Sequence, residues 1–434
     1  MWYLCHVLCR LSALIAKARS PNEMPFLREF LRFGSSTAFV QVSRMASGLA
    51  VAALVEPSAW GHWYLLNLIV AYGALTQLGA LNGMNREVPA SLGRGEAAAA
   101  LTLRRTALGV VLLSTGAVTL TLLVAGIAVP SIGLSTEFLL TILLLFATQI
   151  YTYATTSLRS TTHFTELSRI QYLQAIAFPL LSIAGAAWQG LAGYIVGQTL
   201  ALLIVSVTAS GARNVSWVPR FDLRVGRSLI SVGFPIMLVG LIHTLFATVD
   251  RWVVAANLGS EALGHYSLAI MALTAVALFP QVISQQFYPR MAFAWSAHRD
   301  VDGLRSLATR QRFFTLAAVV PIVGVTMLIA PPIVRAVLPH YTPGVPAILV
   351  TSLVPLVSTV GEGYGGVLHV LNRQYWYMGA ILFAAALNVS VSLLLVGPLG
   401  LTGVALGTLA AFGSLAILRV VLGDLALKRT ALRP

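Results

Sequence analysis

The sequence predicts an all-α polytopic membrane protein, with about twelve transmembrane helices in two parallel six-helix lobes around a central cleft. Three observations carry this. The 434 residues are 57% hydrophobic and only 10% charged, with a mean hydropathy of +0.83; a soluble surface needs far more charge. The apolar runs reach the roughly 20 residues that a helix needs to cross about 30 Å of hydrocarbon. The basic residues collect in every second connection between those runs. The runs are too long for barrel strands and lack their alternation.

The spans read as 33–55, 61–82, 103–129, 136–158, 168–187, 191–211, 229–257, 264–286, 313–337, 345–370, 376–396 and 401–422. They organise the chain into an N-terminal segment 1–32, an N-lobe 33–212, an inter-lobe loop 213–228, a C-lobe 229–423 and a tail 424–434. Lys17, Arg19, Arg28 and Arg32 precede the first span, and Arg86, Arg94, Arg104 and Arg105 flank the second inner turn. Arg159, Arg169, Arg213, Arg220, Arg224 and Arg227 follow; then come Arg290 to Arg312, Arg373 and the terminal Lys428, Arg429 and Arg433. The opposite connections hold Glu56, Glu137 and Glu261, with Arg335 their one clear cation. The positive-inside rule then puts both termini in the cytoplasm of a bacterial inner membrane. A net charge of +14 is thereby explained by topology and anionic lipid, and no nucleic-acid partner is expected. The long inner connections 213–228 and 287–312 carry amphipathic basic patterns, expected to lie along the membrane surface as interfacial helices.

Cys5 and Cys9 fall on the expected cytoplasmic side, so they are expected to be reduced, with neither a disulfide framework nor a metal pattern. The apolar stretch 1–16 lacks a leading basic region. It reads as an interfacial segment or as preceding a natural start nearer Met24.

An internal repeat is visible. Glu56-Pro-Ser-Ala-Trp-Gly-His-Trp-Tyr-Leu65 aligns with Gly259-Ser-Glu-Ala-Leu-Gly-His-Tyr-Ser-Leu268. This sets span 1 on span 7 and span 2 on span 8. Parallel repeats are a common transporter architecture, with the substrate site between the halves.

An ionised side chain at mid-membrane costs at least about 2.5–3.5 kcal/mol on insertion scales, so it is expected to face a cavity or a partner. Arg44 lies mid-span with Gln41 and Gly48 on one helical stripe. It is a candidate for binding an anionic phosphate, or for a structural contact to a neighbouring helix. Asp250 and Arg251 sit in span 7, Asp250 on one face with His243. They read as cleft residues or as a local network in which the carboxylate holds a cation. Glu362 lies in Gly361-Glu-Gly-Tyr-Gly-Gly366, seven residues after Pro355, where a break or kink is expected. His369 follows on the same face; the two could carry a proton or place a cation. Asn67, Gln77, Gln149, Gln281 and Gln285 are better read as interhelical stitching. The chain has no Walker motif and no nucleophile–base or metal-ligand spacing, and its outer loops are too short for an extracytoplasmic active site. A transporter, not an enzyme, is expected.

The segment Gly233-Phe-Pro-Ile-Met-Leu…Thr248-Val-Asp-Arg-Trp252…Leu258-Gly-Ser-Glu-Ala-Leu-Gly-His-Tyr-Ser-Leu268…Gln285-Gln-Phe-Tyr-Pro-Arg290 resembles the polysaccharide-repeat-unit (O-antigen and exopolysaccharide) flippases of the MATE-like MOP superfamily. Phe33-Gly, Trp60-Gly-His-Trp63 and Asn85-Arg86-Glu87 are the looser N-terminal counterpart. The pattern covers nearly the whole chain, but only the span 7–8 segment is specific. The resemblance implies two six-helix lobes around a cationic cleft. It also implies a polyprenyl-pyrophosphate-linked oligosaccharide flipped by alternating access, with possible H⁺ or Na⁺ coupling. Polysaccharide polymerases and glycosyltransferases become candidate partners. Asp250 and Arg251 fall on the family's Asp-Arg; Arg44 fits its habit of an Arg in helix 1, and Glu362 matches loosely. A cation-coupled multidrug or metabolite exporter of the same superfamily stays open, as does, more distantly, a membrane polymerase.

Overall fold

The computed structural model describes residues 24–128, 133–210 and 215–431, which are helical nearly throughout, with no strand among them. Cys5, Cys9, the stretch 1–16, Lys17, Arg19, Arg213 and Arg433 lie outside the described residues. Helix α1 is Met24–Ala52. α2 is broken: Pro57–Tyr72, a 3-10 turn at Gly73–Leu75, then Ala80–Gly93. α3 is Ala97–Ala128 and α4 Thr136–Ser160. The helical run Phe164–Ser210 turns at Gln189 and Gly190 into α5, 164–188, and α6, 191–210. Leu223–His298 turns at Gly259 into α7, 223–258, and α8, 260–298. α9 is Val301–Val337. α10 is assembled from Val345–Ser352, Val354–Ser358 and Tyr364–Val370. Gln374–Ala431 turns at Gly400 into α11, 374–399, and α12, 401–431.

Among the described residues, seven helical runs are long and apolar enough to cross a membrane, and the bent pair in α2 makes an eighth. Three of the seven contain a sharp turn and hold two spans each, which with the bent pair makes eleven spans among the described residues; α1, which carries Arg28, Glu29, Arg32 and Arg44, is not one of the runs that qualify. Leu113, Leu120 and Ile127 on α3 and Leu328 on α9 are exposed, as lipid-facing side chains are.

The ends follow from local chemistry. Ser135 caps α4 by accepting from the Phe138 N–H at 3.2 Å, and Asp300 caps α9 by accepting from the Gly303 N–H at 2.8 Å. Pro57 starts α2 at a position whose N–H has no helical partner to lose. Gly190 (φ 57°, ψ −131°) and Gly400 (φ 56°, ψ −132°) adopt one strained conformation, open to glycine because it has no Cβ.

Those two turns extend the internal repeat. Gly190-Leu-Ala-Gly-Tyr-Ile-Val-Gly197 matches Gly400-Leu-Thr-Gly-Val-Ala-Leu-Gly407. Gly193 packs on Gly185 and Gly197 on Leu181 and Ser182, while Gly403 packs on Leu395 and Gly407 on Ser392. The inner turns agree too: Thr162 (φ 60°) and Asn372 (φ 56°) are both left-handed. Near the outer ends, Gly61 rests on Ser260 and Gly264 on Pro57. Pro57 and Ser260 are equivalent in the repeat, so the contact is reciprocal.

Two compact units emerge, Met1–Gly48 with Thr76–Pro235 and Leu49–Leu75 with Ile236–Pro434. They cut across the 33–212 and 229–423 halves: the outer parts of α1 and α2 go with the second unit. In the first unit, Met84, Leu108, Tyr153, Leu158 and Leu229 share a buried core. In the second, Phe246, Ile381 and Leu415 form one cluster, and Met291, Leu304 and Leu427 another.

The inner connections correct the expectation of interfacial helices. Residues 287–298 continue α8 and 301–312 belong to α9, with a tight turn at Arg299 (φ 50°) between them. Their apolar stripe packs on the end of α12 through Leu304, Met291 and Leu427. The segment 215–222 is not helical. Pro219 biases Val218 toward extended backbone. This non-helical stretch is tied to its own unit by Arg220 N–H to Arg105 O (3.0 Å) and by Tyr153 hydroxyl to Ser216 O (2.5 Å).

Candidate functional site

The second unit encloses a cavity of ≈ 780 Å³ walled by α7, α8, α10, α11 and α12. Each wall is one helical face. His243, Ala247 and Asp250 repeat along α7, and Thr274, Gln281 and Gln285 along α8. Asn388 comes from α11, and Thr408 with Arg419 from α12.

Asp250 is buried at 5% exposure and has two fixed donors. Its Oδ2 accepts from the Tyr266 hydroxyl of α8 at 3.0 Å, and its Oδ1 from the Arg251 backbone N–H at 2.8 Å. Tyr266 also lies 3.4 Å from the Thr408 hydroxyl, so one tyrosine connects α7, α8 and α12. The Arg251 guanidinium stands 6.0 Å from the Tyr64 ring centroid, and its Nε is buried with no hydrogen-bond partner among the described residues. The adjacent Asp250 carboxylate is committed to Tyr266 and to backbone, which leaves this cation available to a ligand.

Glu362 stands where α10 is broken. A 3-10 turn at Thr359–Gly361 ends on Glu362 in extended backbone (φ −65°, ψ 142°), and Gly363 follows at φ +85°. A Cβ at Gly363 would meet Ala308 Cα of α9 at 2.6 Å, so the break also lets α10 press against α9. The carboxylate is held on both sides: Gln311 Nε2 donates to one oxygen at 3.1 Å, and Arg419 Nη1 lies 3.5 Å from the other. Arg419 Nη2 donates to the Tyr377 hydroxyl, and its Nε is buried without a partner among the described residues.

Of the residues expected from the sequence, Asp250, Arg251 and Glu362 line this cavity together with His243. Gln281 and Gln285 line it as well. His369 is not in the lining; its ring stands edge-on to Tyr377 at 5.3 Å. Arg44 belongs to the first unit. There it is exposed, 5.4 Å from the Phe178 ring centroid, with Gln41 half-buried and Gly48 buried on its stripe. In the same unit Gln77 and Gln149 are buried; Asn67 of the second unit is half-buried. Arg419, Tyr266, Gln311 and Thr408 escaped the sequence reading. For Arg419 the signal was present: it is the only arginine in the span 401–422. Among the described residues no group of three or more His, Cys, Asp or Glu could hold a metal ion.

A polytopic helical membrane protein with a charged cavity inside one lobe is thus the class that fold and site define. The profile of a family described as polysaccharide biosynthesis protein matches residues 105–341. The chain belongs to that family. It is 25% identical over 233 residues to the teichuronic acid biosynthesis protein TuaB of Bacillus subtilis (strain 168), a match covering 51% of this chain and 47% of TuaB; the match thus spans about half the length of that relative. Solved structures share the fold. An inward-facing multidrug resistance MATE family transporter of the MOP superfamily superposes with a TM-score of 0.75 at 15% identity, covering 91% of this chain and 96% of its own. A MOP superfamily transporter from Pyrococcus furiosus, described by the reverse polarity of its binding pocket, gives 0.63 at 14%, covering 93% and 96%. The chain shares the fold of these transporters.

Proposed function

We propose that the protein flips polyprenyl-pyrophosphate-linked oligosaccharide repeat units across the cytoplasmic membrane by alternating access, for surface polysaccharide synthesis. The observation that carries the reading is Arg251, a cation lining the cavity whose Nε has no hydrogen-bond partner among the described residues. A diphosphate head offers charge and acceptors to such a group, and the prenyl tail can stay in lipid. Family membership supplies the polysaccharide context. Arg44, the exposed cation of the first unit, is a further candidate contact, with Gln41 beside it. Asp250, Glu362 and His369 are candidates for H⁺ or Na⁺ coupling. On this reading both termini are cytoplasmic, the inner arginines lie against anionic lipid, and polymerase and glycosyltransferases are working partners.

The test is complementation of a deletion strain, reading surface polysaccharide beside membrane abundance. R251Q, and more fully R44Q/R251Q, should abolish surface polymer at unchanged abundance and leave lipid-linked repeat units on the inner leaflet. Full polymer in the double variant would overturn the assignment. A second reading, a cation-coupled exporter, is favoured by the two cavity carboxylates. It predicts altered drug accumulation with unchanged surface polymer.

A further inference from the structure

Glu362 and Arg419 face the same cavity as Arg251, and together they form a pair that a ligand can open. We propose that Glu362 is a built-in stand-in for an anionic ligand on Arg419, and that binding a dianion there exchanges partners and takes up one proton on Glu362. The inference rests on the reading of an anionic substrate and names how the same cavity would bind it.

The geometry is that of a pair poised to exchange. At 3.5 Å the contact is a single long approach, not the short bidentate fork that arginine makes with a committed carboxylate. Arg419 spends Nη2 on Tyr377 and has Nε buried and unpartnered among the described residues. A ligand oxygen would therefore compete with Glu362 for Nη1. Glu362 has a second partner to keep when it lets go, the Gln311 amide at 3.1 Å. It also sits on the one extended residue of a broken helix, beside a left-handed glycine, so its side chain can swing without unwinding a turn.

Charge balance supplies the proton. The cavity is lined by Arg251 and Arg419 against Asp250 and Glu362, with His243 besides. An arriving dianion would leave it with two surplus negative charges among partly buried side chains, which is costly. Asp250 is fixed by Tyr266, so Glu362 is the carboxylate free to neutralise. It takes a proton from solvent as Arg419 passes to the ligand, and no covalent bond changes. The titratable and charged groups around Glu362 are Arg419 on α12, His243, Asp250 and Arg251 on α7, Tyr288 on α8, Tyr377 on α11 and His369 on α10 itself.

The experiment measures binding of inorganic sulfate, which stays doubly charged from pH 5.5 to 8, to the purified full chain in nanodiscs by calorimetry. Wild-type affinity should fall as pH rises, approaching tenfold per unit for one linked proton. E362Q should bind sulfate with a flat pH profile. R419Q should lose the site; R419K, which keeps the charge, should bind weakly with the wild-type slope, so that loss in R419Q is not mistaken for misfolding. A wild-type slope that persists in E362Q would assign the proton to His243 or another group and overturn the exchange. Undiminished binding in R419Q would overturn the site. Neither result touches the lipid-linked substrate, which surface polymer tests separately.

Discussion

Gly264→Ala is the sharpest test of the packing, because both partners at that crossing are backbone. A Cβ at Gly264 would lie 2.6 Å from the Pro57 carbonyl carbon and 3.0 Å from its Cα; one at Gly61 would lie 2.7 Å from Gly264 N. Carbon atoms settle at about 3.5–4.0 Å, so α2 and α8 must part by roughly 1 Å. No rotamer change relieves this, since a main-chain carbonyl cannot turn aside. Overpacking of a tight interior costs about 1–3 kcal/mol, and this crossing belongs at the upper end, near 3 kcal/mol. The control is Gly116→Ala on α3, where an added methyl meets nothing within 4 Å; there alanine should be stabilising by about 0.5–1 kcal/mol. Thermal unfolding of detergent-purified protein, followed by fluorescence-detected size exclusion, should rank G116A at or above wild type and G264A well below both. G264A melting with wild type would refute the reciprocal crossing of the repeated motif.

Three other outcomes follow from the same structure. Y266F removes one of two fixed donors to the buried Asp250; a hydrogen bond to a charged group is worth about 1.5–3 kcal/mol, and an unchanged melting midpoint would show that the Tyr266 contact contributes nothing. R419L removes the cation facing Glu362 and should cost up to about 3–5 kcal/mol at high pH, less as the pH falls and Glu362 takes up a proton, whereas E362Q/R419L should recover much of that; strictly additive melting shifts at high pH would disprove the pairing. At the inner turn, Arg94 holds Glu96 through two contacts, at 3.0 and 3.1 Å, and this hydrogen bonding lowers the Glu96 carboxyl below its ordinary 4.5. The folded value lies under the unfolded one, so the contribution is present above pH 4.5 and is lost as the pH falls through the folded value. The difference in melting between wild type and E96Q should therefore be seen at pH 6, shrink below pH 4.5, and weaken in high salt because the pair is exposed; a pH-independent difference would contradict the assignment.

The spans were legible because hydropathy and the positive-inside pattern are strong physical signals, each read over many residues. The break in α10 was legible from Pro355 and the glycines around Glu362. Asp250, Arg251 and Glu362 stood out because charge in hydrocarbon demands a reason. Arg419 did not, since three residues from the inner end of a span it looked like a topological arginine; only folding reveals that its side chain runs back to Glu362. Tyr266 and Thr408 carry no charge; Tyr266 was visible only as part of the Leu-Gly-His-Tyr segment, with no role attached, and Thr408 gave no signal. The amphipathic basic stretch 287–312 was misread because periodicity does not say what covers an apolar stripe. The end of α12 covers it here, where a membrane surface was expected. The second half of the repeat went unnoticed in a run of Gly, Ala and Leu until the matching turns at Gly190 and Gly400 set its register.

The Glu362–Arg419 pair also constrains how the chain is made. Synthesis delivers α10 to the bilayer before α12, so Glu362 enters with its counter-charge still unsynthesised. Until then its main local support is Gln311 on the preceding helix. A carboxylate in that position raises the cost of insertion by about 2.5–3.5 kcal/mol, and this is offset only when α12 brings Arg419. Chains cut short before residue 419 would carry that carboxylate without the cation that faces it in the folded protein.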